Sequence, residues 1–292
     1  MFDNLFGKHG LSLERLKSFI EVVEAGSIAE AVDREPSRQS LVSRQIRELE
    51  SYFELQLTER QGKGLRITDD GQELARISRE FLHQIQDFRL QAKGRKATLR
   101  IGAGFSTMQW IITPRACELG KLLDASLEMR RMKSREAPRL LGQGEIDFAV
   151  VRQDAIPDGD PRFDSLPLGN SGYSLFSSDE NPEAPMAIPT GGGQLEAKLT
   201  EAIRDQSQPC IRCGSLLQVA SLVIDGQARA VLPDIASRGF RRMTWIKQAP
   251  YPPLEDYSRA WCLAWSKHQM ETRGISQAKL KAAANLLKIS AS

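Results

Sequence analysis

Apolar residues in the first part of the chain recur at helical spacing. Leu13, Leu16, Phe19, Ile20 and Val23 fall three and four apart, which predicts an amphipathic helix with one buried face and Ser12 as its N-cap. Ala25-Gly26-Ser27 interrupts the pattern: Gly26 suits a left-handed residue, and Ser27 caps a second short helix carrying Ala31 and Val32. Pro36-Ser37 breaks the pattern again, and a third helix is predicted to about residue 52, with Leu41, Val42, Ile46, Leu49 and Phe53 as its stripe. Three short helices so close together predict a helix-turn-helix bundle.

Beyond them the spacing changes. Thr58-Glu59-Arg60 and Leu65-Arg66-Ile67-Thr68 flank Gln61-Gly62-Lys63-Gly64, which predicts a small hairpin, placed as a wing. Thr68 then caps a long helix in which Leu74, Ile77, Phe81, Ile85 and Phe88 keep helical spacing, while Gln72, Arg76, Arg79, Gln86 and Arg89 make the other face polar. The apolar stripe either packs on its own domain or pairs with a second copy; pairing is favoured. Residues 91–98, with Gly94 among Lys and Arg, read as the domain linker.

From residue 99 strand and helix alternate. Strands are predicted at 99–103, 126–129 and 147–151, with helical stretches near 111–123 and 136–143. A second set has strands at 173–176, 186–188, 210–212 and 229–232 and helices near 193–204 and 215–224; a strand at 260–265 and a helix at 277–287 follow. Such alternation predicts a parallel α/β sheet that binds ligands at the carboxyl ends of its strands.

Composition narrows the class. A chain of 292 residues is long enough for two cores, and 41% hydrophobic with 26% charged residues is ordinary for a globular protein. No apolar run approaches a membrane span and no secretory signal opens the sequence, so the cytoplasm is the expected compartment. The net charge of +3 says little about nucleic acid, and residues 1–96 balance 16 Lys or Arg against 16 Asp or Glu, so DNA binding has to be argued from placement. Cys117, Cys210, Cys213 and Cys262 are too dispersed for a disulfide framework. The Cys210/Cys213 spacing suits a redox or half-zinc motif or plain strand-end packing, and no second pair or nearby His completes a site. His9, His83 and His268 stand apart from any triad or metal motif, so neither an enzyme nor a cofactor is expected.

Within residues 16–71, Phe19, Val22, Glu24, Gly26-Ser27, Ala31, Gln39, Val42-Ser43-Arg44-Gln45-Ile46, Leu49-Glu50, Leu57, Glu59-Arg60, Leu65, Thr68 and Gly71 stand in an order and spacing that resembles, without a gap, the LysR-type transcription regulators. Weaker similarity continues through Leu99-Arg100-Ile101-Gly102, the stretch 141–149, and Leu222-Val223 to Leu232-Pro233. The resemblance implies a dimer-forming linker helix, a two-lobed α/β sensor resembling periplasmic binding proteins, and commonly a homotetramer on DNA. The expected organisation is a winged helix-turn-helix over 1–68, a linker helix and hinge over 69–96, and an effector-binding domain over 97–292. Glu35, Ser37, Arg38 and Ser40, around the turn, and Glu54 and Thr58, before the wing, depart from the family pattern.

A recognition helix presents its N-terminal residues to base edges in the major groove. That points to Arg38, Gln39, Ser40, Ser43 and Arg44. Arg reads guanine and Gln reads adenine bidentately, so Arg38 and Gln39 are the expected base readers, while Ser43 and Arg44 reach edges or phosphates. In the wing, Arg60, Lys63 and Arg66 are expected at the backbone or minor groove.

Gly102-Ala103-Gly104-Phe105-Ser106-Thr107 invites comparison with a dinucleotide fingerprint, but Thr107 replaces the third Gly and Arg130-Arg131 stands where an acidic residue belongs. A nucleotide-dependent enzyme is therefore set aside. The better reading is a loop in which Gly104, Ser106 and Thr107 face a small anion, where the family resemblance also puts the effector. The second lobe would add Thr190, Gly191 and Ser215, with helix capping or a turn an equal reading for Thr190 and Ser215. Arg152 and Gln153 fall near the lobe crossing, and a cation there favours a small anionic effector. Arg130, Arg131, Lys133 and Arg135 read more readily as a solvated edge than as a second DNA patch; Trp245, Trp261 and Trp265 read as core or lobe-contact aromatics, with ligand stacking the alternative. A further reading makes the sensor a ligand-free assembly platform.

Overall fold

In a computed structural model, residues 5, 9–61, 64–190, 194–203 and 209–289 are described. Helix α1 (Leu13–Ala25) starts where the Ser12 hydroxyl accepts the Arg15 amide at 3.2 Å and stops at Gly26, left-handed at φ 73°. The Ser27 hydroxyl accepts the Glu30 amide to start α2 (Ile28–Ala31). The next turn holds Asp33 and Arg34 in the left-handed region, φ 51° and 62°, with Arg34 paired to Glu30 at 2.8 Å. Pro36, which reads as a breaker in the sequence, occupies the first turn of α3 (Pro36–Phe53), where its missing N–H costs no helical bond. Leu16, Phe19, Val42, Ile46, Leu49 and Leu57 form the core of this head. Leu41, expected in the stripe, is instead 42% exposed.

Strands β1 (Thr58–Gln61) and β2 (Gly64–Ile67) pair antiparallel, Thr58 opposite Ile67. Helix α4 (Asp69–Gln91) follows, its first turn bonded to the Thr68 hydroxyl through the Gly71 amide at 3.0 Å. The apolar residues Ile77, Phe81, Ile85 and Phe88 all face outward, Phe88 73% exposed. Part of the face that reads as solvent-facing is packed, although Gln86 and Arg89 on it are exposed, and Leu74 of the apolar stripe packs on the head core. Arg79 is 3% exposed, bonded to Glu24 of α1 at 3.2 Å and to the carbonyl of Gln143 in the second domain. Further along, His83 meets the Arg100 guanidinium at 2.8 and 3.1 Å, and Asp87 meets Arg273 at 3.0 Å. The partners of this polar face lie from 17 to 186 positions away in sequence, beyond the reach of a periodicity argument.

The second domain consists of two five-stranded sheets. The first lobe contains β3 (Thr98–Ala103), α5 (Ala116–Leu123), β4 (Ser126–Arg131), α6 (Ala137–Gly142), β5 (Phe148–Arg152) and β6 (Phe163–Ser171). At Gly172 the chain crosses into the second lobe, with β7 (Tyr173–Ser178), β8 (Met186–Pro189), α7 (Gln194–Ile203), β9 (Cys210–Cys213), α8 (Leu216–Ile224), β10 (Arg229–Pro233) and β11 (Ile246–Pro250). It returns through β12 (Arg259–Ser266), α9 (Lys267–Thr272) and α10 (Gln277–Leu287). Strand order is β4-β3-β5-β12-β6 in one lobe and β11-β7-β10-β8-β9 in the other.

The sheets are mixed, a correction to the expected parallel arrangement. Strands β3, β4 and β5 run parallel, whereas β12 is antiparallel to β5 and β6, and β7 is antiparallel to β10 and β11. Strand β6 contains Pro167 and Gly169, which suggest a loop, yet it pairs along all of β12 across a register shift at Trp261/Cys262. One apolar cluster runs through both lobes, with Ile101, Trp110 and Trp265 from the first and Phe176, Val219 and Phe240 from the second.

Beneath α4 a carboxylate is buried in the first lobe. Asp147 is fully buried and accepts from the Arg100 amide at 2.7 Å, the Arg100 guanidinium at 3.1 Å and the Gln269 side-chain amide at 2.8 Å, with the Arg273 guanidinium 3.7 Å away. Burial, and then Arg100 and Arg273, push the His83 pKa down to about 3, so His83 stays neutral under Arg100 at ordinary pH. Burial also raises the Asp87 carboxyl above its usual range, with Arg273 opposing.

Candidate DNA-reading surface and interlobe cleft

At the start of α3 the Glu35 carboxylate accepts from the Ser37 hydroxyl at 3.0 Å and lies 3.9 Å from Arg38. Residues that depart from the family pattern thus hold one another. Arg38 and Ser40 are exposed and Gln39 half-buried, so all three are presented at the helix start. Ser43 accepts from Arg47, one turn on, at 3.1 Å, and Arg44 lies 3.7 Å from Glu48. Such exposed pairs are worth at most about 1 kcal/mol, so a phosphate can displace them. In the wing Arg60 is exposed, and Arg66 sits opposite Glu59 at 3.8 Å. Lys63 lies outside the described residues. Arg47 and Leu41 are exposed on α3 as well; motif reasoning passes over the first, and periodicity assigns the second to the core.

Between the lobes is a cleft of about 240 Å³. Ser106, Thr190 and Ser215 line it, as expected. Thr190 and Ser215 also have local duties: the Thr190 hydroxyl donates to the Cys213 carbonyl at 3.0 Å, and Ser215 accepts the Gln218 amide at 3.3 Å as the N-cap of α8. Gly104, Thr107, Arg152 and Gln153 are not among the lining residues. Thr107 is buried behind its helical turn, Arg152 is 3.3 Å from Asp154, and Gln153 lines a separate depression with Asp160 and Lys267. Gly191 is outside the described residues. A Cβ on Gly102 would run into Met132 and Ile146, so that glycine serves sheet packing and not a phosphate cradle.

The cleft has lining residues that strand prediction does not assign to it: Phe105, Arg131, Tyr173, Arg259 and Trp261. Arg131 ends β4, and its side chain has no hydrogen-bond or ion-pair partner among the described residues. Arg259 opens β12; its guanidinium lies 5.0 Å from the centre of the Tyr257 ring and donates to that phenol oxygen. Tyr257 in turn stacks on Tyr173, with centres 5.4 Å apart. Burial raises the Tyr173 phenol pKa, so it is a neutral hydroxyl at ordinary pH. In the sequence, the two arginines announce themselves only as polar residues at strand ends facing a lobe crossing.

A larger cavity, about 650 Å³, lies between α4 and the first lobe. Its charges largely satisfy one another, Arg76 with Glu73 and Glu80 at 2.6 and 2.9 Å, and His268 with Glu80 at 3.3 Å. It therefore offers little uncompensated charge to a ligand. The Cys210/Cys213 pair is split across β9, Cys210 exposed and Cys213 in the apolar core, and neither is disulfide-bonded. No helix among the described residues is long and apolar enough to cross a membrane.

Comparison with known proteins agrees with this geometry. The family model for bacterial regulatory helix-turn-helix proteins of the lysR family matches residues 13–72, and the LysR substrate binding domain matches residues 92–278. The chain is 24% identical over 286 residues to the uncharacterized HTH-type transcriptional regulator YnfL of Escherichia coli, covering 90% of this chain and 94% of that protein. It is 25% identical over 247 residues to the nitrogen assimilation regulatory protein nac of Klebsiella aerogenes, covering 78% and 80%. Its fold is similar to a full-length OxyR variant of Pseudomonas aeruginosa (TM-score 0.58, 17% identity, 96% and 95% covered). LysG of Corynebacterium glutamicum with bound effector Arg is similar as well (TM-score 0.57, 17% identity, 95% and 98% covered). The chain belongs to the LysR family and is a DNA-binding transcription regulator with an effector-binding domain, not an enzyme.

Proposed function

We propose that this regulator reads duplex DNA through the start of α3 and the wing, and that a small organic anion in the interlobe cleft biases that binding. The head is residues 1–68, the linker 69–96 and the effector domain 97–292. Arg38 and Gln39 read base edges; Ser40, Ser43 and Arg44 support them, and Arg60, Lys63 and Arg66 engage the backbone. A second copy covers the outward apolar face of α4, and two such dimers make a tetramer working in the cytoplasm.

One observation carries the effector reading: two guanidiniums, Arg131 and Arg259, line a cleft that has no carboxylate among its described lining residues. Cations in a cleft without a counter-charge favour an anionic ligand that accepts charge-assisted hydrogen bonds. LysG holds an amino acid in the same fold, which fits an effector of metabolite size.

DNA selected from a random duplex pool by the full chain gives the substrate for the test. Arg38→Ala and Gln39→Ala are each expected to weaken binding by about 1–3 kcal/mol and relax base preference, and Lys63→Ala to lower the salt slope by about one. Unchanged affinity, preference and slope would contradict these contacts. For the cleft, small carboxylates are compared with their amides in thermal shift; stabilisation by the amides alone removes the anionic reading.

A further inference from the structure

We infer that the effector is a small aromatic carboxylate, its head held by Arg131 and Arg259 and its ring set among Phe105, Tyr173 and Trp261; this rests on the anion-sensing reading and narrows it. The charge of both arginines is uncommitted. Arg259 is fixed in place by Tyr257 through ring contact and a hydrogen bond to the phenol oxygen, an arrangement that orients the guanidinium without a carboxylate partner. The Arg131 side chain has no partner among the described residues. A planar fork suits a carboxylate bidentately.

Trp261 supplies the second observation. It lines the cleft at 8% exposure, and its indole N–H has no acceptor among the described residues. A buried indole N–H ordinarily finds an acceptor, and an anionic oxygen in the cleft would provide one. Across the cleft, the Thr190 hydroxyl already donates its hydrogen bond to the Cys213 carbonyl, so it can accept from a ligand hydroxyl or N–H but has no second O–H to donate.

Shape and apolar lining decide the remainder of the ligand. Phe105, Leu216, Pro189 and Pro233 stand with Tyr173 and Trp261 as the apolar and aromatic part of the wall, beside the hydroxyls of Ser106, Thr190 and Ser215. At about 240 Å³ the cleft lies below the roughly 300–1,000 Å³ of sites for drug-sized ligands, a volume that suits a one-ring acid. Ring-on-ring contact adds about two- to tenfold in affinity over area burial alone, and an aliphatic acid of equal volume forgoes it.

The test is isothermal titration calorimetry on the full chain with benzoate, cyclohexanecarboxylate, succinate and benzamide. Benzoate is expected to bind saturably, about two- to tenfold more tightly than cyclohexanecarboxylate, and more tightly than succinate. Arg131→Gln, at an exposed position that the fold does not need, should weaken benzoate about ten- to a hundredfold. Trp261→Phe keeps a ring and removes the N–H, and should cost about two- to tenfold. Arg131-dependent binding of succinate or cyclohexanecarboxylate equal to or tighter than that of benzoate overturns the aromatic assignment and leaves the anionic effector standing. Equal binding of benzamide, indifferent to Arg131→Gln, overturns the anionic reading itself. Absence of binding by all four probes overturns both.

Discussion

Replacing Asp147 by Ala tests how the first lobe and the linker helix are held together. Asp147 is fully buried, and the Arg100 amide, the Arg100 guanidinium and the Gln269 amide converge on it within 3.1 Å. Its removal strands Arg100, which is 8% exposed at the side chain and faces a His83 that is neutral and cannot compensate. Removing one partner of a buried ion pair costs about 3–5 kcal/mol, because the surviving charge keeps its desolvation penalty. At about 2–4 °C per kcal/mol for a domain of this size, the expected drop in melting temperature is roughly 6–20 °C. All four tryptophans, Trp110, Trp245, Trp261 and Trp265, lie in the effector domain, so tryptophan fluorescence follows its unfolding and not that of the head. The double variant Arg100→Met with Asp147→Leu removes both charges, leaves Arg273 with Asp87, and should recover part of the loss. A single-variant cost below about 1 kcal/mol, the range of an exposed pair, would refute the network as a structural element.

Other outcomes follow from the same contacts. His83 is held at a pKa of about 3 against roughly 6.5 in the unfolded chain, so its contribution is complete above about pH 6.5 and declines by up to ~1.4 kcal/mol per pH unit as pH falls toward 3. In urea titrations at neutral and mildly acidic pH, His83→Gln should therefore lose less stability on acidification than the parent; parallel losses would show that His83 is not the sensitive group. Gly26→Ala has open space at the new methyl, so only the left-handed backbone opposes it, and it should cost about 1–2 kcal/mol in head stability; a neutral result would mean the turn relaxes. Phe88→Glu, on the outward face of α4, should shift sedimentation toward the monomer, and an unaltered profile would show that a second copy does not cover that face.

The features legible in the sequence are those whose partners are near in sequence. Ser12, Ser27, Thr68 and Ser215 cap the helices they precede because a cap bonds three residues ahead, and Gly26 ends its helix for an equally local reason. The apolar stripe of α4 is legible for the same reason, but the role of its polar face is not, since nothing near Arg79, His83 or Asp87 announces Gln143, Arg100 or Arg273. The same holds for β6: Gly169, at φ 117°, has the Ile289 carbonyl where a side chain would stand, and only that tertiary contact and pairing with β12 make a strand of a loop-like sequence. The cleft divides along this line. Ser106, Thr190 and Ser215 follow strands and open helical turns, so strand-to-helix chemistry finds them, while Arg131, Arg259, Tyr173 and Trp261 come from three strands that only the sheet order brings together. Local rules thus recover where a ligand can sit, and long-range pairing decides the chemistry offered to it: the two charges of the proposed anion site come from residues that, in sequence alone, look like a solvated edge and an ordinary strand start.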